Sequence, residues 1–88
     1  MEVSYSSHFN KALKKLIKKD RRILLKFEKK LELFVKDPFH PSLSTHKLSG
    51  YLNGYWSFSV EYDLRIVFYF SSDSKVVFAD MGSHKDVY

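Results

Sequence analysis

The hydrophobic period of this chain changes between residues 37 and 49, and that change restricts the fold more than any other feature. Before it, Phe9, Leu13, Leu16 and Ile17 recur at the helical period while Lys11, Lys14, Lys15, Lys18 and Lys19 take the other face. Asp20 interrupts this pattern, and Ile23, Leu24, Phe27, Leu31, Phe34 and Val35 then form a second apolar stripe. After it, Trp56, Phe58, Val60 and Tyr62 alternate with Ser57, Ser59, Glu61 and Asp63, which is the period of a strand with one apolar and one polar face. Leu64 to Phe70 is apolar on both parities except at Arg65, as expected of a strand flanked above and below. Ser71 to Ser74 make a turn into a last strand from Lys75 to Asp80.

The ends of the chain and the joints complete this outline. Glu2 to Tyr5 alternate as a short strand, and Ser6 and Ser7 offer N-cap oxygens to the first helix. Asp20 is positioned to cap the second helix and Asp37-Pro38 to stop it. Residues 37–49 hold both prolines and no sustained period, so they read as a loop. The prediction is an α+β domain spanning residues 1–88, in the order βααβββ with room for an extra short strand near Lys47 to Leu52. Two N-terminal antiparallel helices pack on the apolar face of a small, mainly antiparallel sheet. Eighty-eight residues exclude a two-domain enzyme, and a composition 44% hydrophobic and 17% aromatic can fill one core.

Charge is distributed unevenly along this outline. Residues 1–36 carry eleven Lys and Arg against four acids, whereas the remainder carries four against six. A positive field over the helices favours a polyanion or an acidic protein partner, although lysine-rich helices also simply solvate their outer faces. With no cysteine, no apolar run near the ~18–20 residues of a membrane span, and no basic-then-apolar leader, the expectation is a cytoplasmic protein that does not enter a membrane.

Four histidines, at positions 8, 40, 46 and 84, fit no metal-ligand spacing, and the sequence calls for no metal and no other cofactor. His8, in the first helical turn, and His40, between two prolines, read as exposed structural positions. His46, in the loop before the sheet, and His84, after the last strand, can meet at one sheet edge because adjacent strand ends converge there. Arg65 lies in an otherwise apolar strand, where an unpaired charge is costly. It calls for a partner, either Asp63 or Glu61 in a salt bridge, or a phosphate clamped by the planar guanidinium.

Four short runs together resemble a known family. Lys47-Leu48-Ser49-Gly50, Gly54-Tyr55-Trp56-Ser57, Asp63-Leu64-Arg65-Ile66-Val67-Phe68-Tyr69 and Gly82-Ser83-His84-Lys85-Asp86-Val87-Tyr88 are similar, in this order, to the RelE/ParE superfamily of type II toxins, most closely its YafQ-like branch. The likeness covers nearly the whole chain and implies a RelE-like fold and a ribosome-dependent mRNA endoribonuclease working without metal. It also implies a small antitoxin as partner, with the complex rather than the toxin alone reaching operator DNA. By the same resemblance, His46, Asp63, His84 and Tyr88 match residues that YafQ-like toxins place in the active site, and Arg65 matches the arginine that RelE relatives use on the scissile phosphate. Ser59 departs from the pattern by standing where the branch has another histidine.

The implied chemistry is self-consistent. Metal-free RNA cleavage requires the 2′-hydroxyl to lose a proton, the 5′-oxygen to gain one, and positive charge on the phosphorane. Histidine, with an unperturbed pKa of ~6.5, can serve either transfer, so His46 and His84 are the expected acid/base pair, with Asp63 as base or orienting group. Arg65 would hold the phosphate, Tyr88 stack on a base or donate a hydrogen bond, and Lys47 and Lys85 add backbone contacts. Lys11, Lys14, Lys15 and Lys18 would meet ribosomal RNA or an acidic antitoxin segment. A ParE-like toxin that binds DNA gyrase and an inactive antitoxin-binding member are the alternatives.

Overall fold

Each apolar stripe becomes one element that buries it. In the computed structural model, which describes residues 1–87 without the Asp86 side chain, strand β1 (Glu2–Tyr5) leads into helix α1 (Ser7–Lys19) and helix α2 (Arg22–Lys36). A two-residue strand β2 (His46–Lys47) precedes β3 (Trp56–Glu61), β4 (Leu64–Ser72) and β5 (Lys75–Gly82), and a four-residue helix α3 (His84–Val87) follows. The Ser6 hydroxyl accepts the Phe9 N–H as N-cap, and Asp20, extended at φ −150°, ends α1. Asp20 Oδ1 also accepts the backbone N–H of Arg22 at 3.0 Å, so its carboxylate serves the start of α2 from just outside the helix.

The five strands lie in the order β1-β5-β4-β3-β2. All neighbours are antiparallel except β1 and β5, which run parallel and make the sheet mixed. The extra strand exists but lies at His46–Lys47, and Gly50–Leu52 form a 3₁₀ turn instead. Both long helices contribute to one core: Phe9 of α1 and Phe27 and Phe34 of α2 pack with Phe58, Ile66, Phe68, Val76 and Phe78 of the sheet. Phe34 is fully buried and stacks on Phe58 with centroids 4.7 Å apart. Large aromatic surfaces of this kind supply most of the burial energy of a domain this small.

The register places the other parity on the opposite face. Ser57 pairs with Val67 and Ser59 with Arg65 across β3 and β4, while Arg65 pairs with Gly82 and Tyr69 with Val77 across β4 and β5. No long helix covers this face. Only α3 packs on β4 and β5, at one end. Tyr62 does not continue the apolar parity of β3. It sits in the β3–β4 turn and is 97% exposed, because a bulge between Ser59 and Glu61 ends the alternation.

Candidate functional site

The β3–β4 bulge decides what Arg65 can reach. Sequence parity offers Glu61 and Asp63 as its ion-pair partners, and the structure gives both away. The bulge turns Glu61 toward α2, where its carboxylate accepts Lys26 Nζ at 2.9 Å, and Ser59 Oγ secures the turn by donating to the Glu61 carbonyl. Asp63 adopts a left-handed backbone at φ 57°, which aspartate tolerates in a tight turn, and its Oδ1 accepts the His84 backbone N–H at 3.2 Å. Arg65 Nη1 is consequently buried without a hydrogen-bond partner among the described residues. An unmatched guanidinium nitrogen costs roughly 1.5–3 kcal/mol in lost charged hydrogen bonding, and its planar fork has the geometry to donate to a carboxylate or a phosphate. On either side of it in register stand Ser59 and Gly82, which are small enough to leave the guanidinium approachable.

His46 reaches the same face from β2. It pairs in register with Ser57, and its Nδ1 lies 2.9 Å from the Ser44 carbonyl oxygen. A carbonyl only accepts, so Nδ1 carries the proton and Nε2 is the acceptor, facing the fully buried Ser57 hydroxyl at 3.5 Å. Ser44 holds this geometry from a left-handed backbone at φ 52°. Ser57, a residue the sequence presents only as a polar strand position, therefore belongs to the site, and its complete burial is a property of the fold rather than of its neighbours in sequence.

His84 opens α3 two residues beyond Gly82, exposed and held at its backbone by Asp63. His46 is level in register with Ser57, Val67 and Asp80, and His84 follows two residues after Gly82, the register partner of Arg65, so β3 and β4 separate the two histidines. The structure thus brings His46 and Arg65 to one face of the sheet, sets His84 just beyond the end of β5, and gives Asp63 a backbone-anchoring contact to it. Tyr88 lies outside the described residues. Lys85 is exposed on α3, whereas Lys47 has the opposite parity to His46 and lies over the Trp56 ring at 5.5 Å, on the helix side of the sheet.

The basic helix forms a second feature away from this face. A cleft of about 460 Å³ runs between α1 and the end of β5, lined by Lys11, Lys15 and Lys19 together with Leu16 and Met81. Lys14 and Lys18 do not line it. His8 closes its upper end through Nε2 and Asp80 Oδ1, 3.1 Å apart, and His40 accepts the Ser42 N–H in a loop turn, so both histidines occupy structural positions. The cleft has volume and charge, but neither His46, His84 nor Arg65 lines it, and the open sheet face is the candidate site. No group of three or more His, Asp or Glu side chains among the described residues could hold a metal ion. No helix among them is long and apolar enough to cross a membrane.

A two-helix layer on a five-stranded mixed sheet defines a RelE-like small toxin fold. The chain belongs to the family described as bacterial toxin of type II toxin–antitoxin system, YafQ, which it matches over residues 1–88. Its fold is similar to that of YafQ from E. coli strain BL21(DE3), with a TM-score of 0.81 and 22% identity over 99% of this chain and 97% of that one. The E. coli DinJ–YafQ toxin–antitoxin complex gives a TM-score of 0.79 at 22% identity, covering 99% of this chain and 96% of that one. The YoeB/ParE toxin from Agrobacterium tumefaciens gives 0.79 at 19% identity, covering 96% and 99% respectively. No curated protein matches by sequence.

Proposed function

We propose that this toxin is a ribosome-dependent mRNA endoribonuclease that cleaves by attack of a 2′-hydroxyl on the adjacent phosphate, without a metal. The observation that carries the reading is the Nη1 of Arg65, buried and without a hydrogen-bond partner among the described residues, on a strand between His46 of β2 and His84 beyond β5. A phosphate seated on that guanidinium would lie between His46 and His84. The His46 Nε2 lone pair, set by the Ser44 carbonyl, suits it to accept the 2′-hydroxyl proton. His84, exposed at the far flank, is then the group that protonates the 5′-oxygen, while Arg65 stabilises the phosphorane charge. The products are a 2′,3′-cyclic phosphate and a 5′-hydroxyl. Asp63 acts by holding the His84 backbone in place, and Tyr88 and Lys85 add contacts to the RNA.

The lysines of α1 serve ribosomal RNA or an acidic antitoxin segment, and a cognate antitoxin in the cytoplasm is the expected partner, as the DinJ–YafQ complex illustrates for its E. coli relative. Primer extension on a reporter mRNA after brief induction in bacteria tests the reading. Discrete codon-phased cuts in wild type that vanish in His84→Ala and Arg65→Ala, at matched expression, are expected. Growth arrest with intact mRNA would defeat it and redirect attention to gyrase.

A further inference from the structure

Two tyrosines pack on each other on the open face, outside the core. Tyr69 points from β4 on the parity of Arg65, and Tyr55, just before β3, meets it edge to face with centroids 5.6 Å apart and ring planes at 84°. Both are half-buried, and neither belongs to the hydrophobic core, which lies on the other side of the sheet. Neither hydroxyl makes a hydrogen bond among the described residues. An edge-to-face pair leaves one ring face open to a third ring.

Position along the strand gives the pair a meaning. Tyr69 stands four residues from Arg65 on β4, about 13 Å along the sheet. Between the two rows lie Ser57 and Val67, with His46 alongside on β2. The face therefore presents, in order, an aromatic pair, a histidine beside the buried Ser57 and Val67, and a guanidinium. Single-stranded RNA complements all three, through its bases, ribose hydroxyls and phosphates.

We infer that Tyr55 and Tyr69 form a base-stacking subsite for single-stranded RNA, holding the base of a nucleotide near the one whose phosphate occupies Arg65. The inference rests on the nuclease reading for its choice of ligand, and it adds a place where the strand is gripped. Stacking accepts any base, since each has a π-face, while the two unengaged hydroxyls can distinguish base edges.

Binding of a fluorescein-labelled hexanucleotide with 2′-O-methyl riboses, which cannot be cleaved, separates this subsite from the chemistry. Fluorescence anisotropy is expected to show Tyr69→Leu and Tyr55→Leu each about ten-fold weaker than wild type, with Tyr69→Phe within about two-fold because the ring remains. Thermal unfolding checks that each variant is folded. An abasic nucleotide moved along the probe needs no variant: wild type should lose affinity at one position, and that position-dependence should disappear in Tyr69→Leu. A flat abasic profile, equal affinity of Tyr69→Leu and wild type, or no binding by wild type overturns the subsite. Position-specific binding without mRNA cuts in cells would retain the subsite and defeat the nuclease reading, and the reverse result would do the opposite.

Discussion

On the helix side of β4, Ile66 and Phe68 are fully buried, and Phe68 meets the rings of Phe34, Phe58 and Phe78. On the reverse side of the same strand, Arg65, Val67 and Tyr69 share a face with Ser57, Ser59 and His46, and only the short α3 reaches it. Both sides are built on the same backbone hydrogen bonds, so the difference is entirely one of side chains and of what covers them. The helix side is satisfied: apolar surface is matched to apolar surface at close-packed density. The open side holds a guanidinium whose Nη1 is buried without a hydrogen-bond partner among the described residues, and a histidine whose Nδ1 is fixed by the Ser44 carbonyl and whose Nε2 faces Ser57. Stability is concentrated on one face and unsatisfied chemistry on the other, the pattern expected when a rigid scaffold supports a site.

That division predicts opposite responses to substitution. Phe58→Ala on the helix side should cost about 3–5 kcal/mol, lowering Tm in calorimetry by more than about 12 °C in a domain of this size. Arg65→Leu on the open side should abolish cleavage, by roughly 10²–10³ or more in rate, while leaving chemical-denaturation stability unchanged or raised by ~1 kcal/mol. Equal destabilisation by the two substitutions would erase the distinction between the faces.

The Lys26–Glu61 pair connects the sheet turn to α2 and gives a smaller effect. Its side chains are 41% and 36% exposed, so solvent screening limits Glu61→Ala to about 0.2–1 kcal/mol in urea unfolding, with mRNA cleavage retained. Loss of cleavage in Glu61→Ala would place Glu61 with the open face after all.

The smallest effect concerns Tyr5, whose ring packs against Phe9, Phe27 and Phe78 and whose hydroxyl burial raises above the ordinary value of 10.0. The folded chain keeps this proton where the unfolded chain releases it, so the contribution is complete below pH ~10 and is lost as pH rises through the folded value. Denaturation followed from pH 9 to 11 should show a decline in wild type that Tyr5→Phe lessens.

Much of the scaffold was legible because it is local. The period-3.6 stripe led by Phe9 and the period-2 alternation of Trp56, Phe58 and Val60 each state which face will be buried, and the elements formed where these patterns lie. Tyr62 was misread because a one-residue bulge is invisible to alternation, and the strand near Lys47 to Leu52 came one residue early and short because pairing, not propensity, defines so brief an element. At the site, His46, Arg65 and His84 were legible as residue types out of place. Ser57 was not, since nothing local marks a serine that will be fully buried beside a histidine.

The amino-acid sequence by itself determined two amphipathic helices, a hairpin-rich sheet, a positive N-terminal half and the residues able to move protons or hold a phosphate, because periodicity and side-chain chemistry are properties of short segments. Only the tertiary structure decided that Glu61 turns to Lys26, that Asp63 spends its carboxylate on the His84 backbone, and that Arg65 Nη1 is buried without a hydrogen-bond partner among the described residues. Those outcomes depend on a bulge and on register across three strands, where competing partners tens of residues apart are brought within reach.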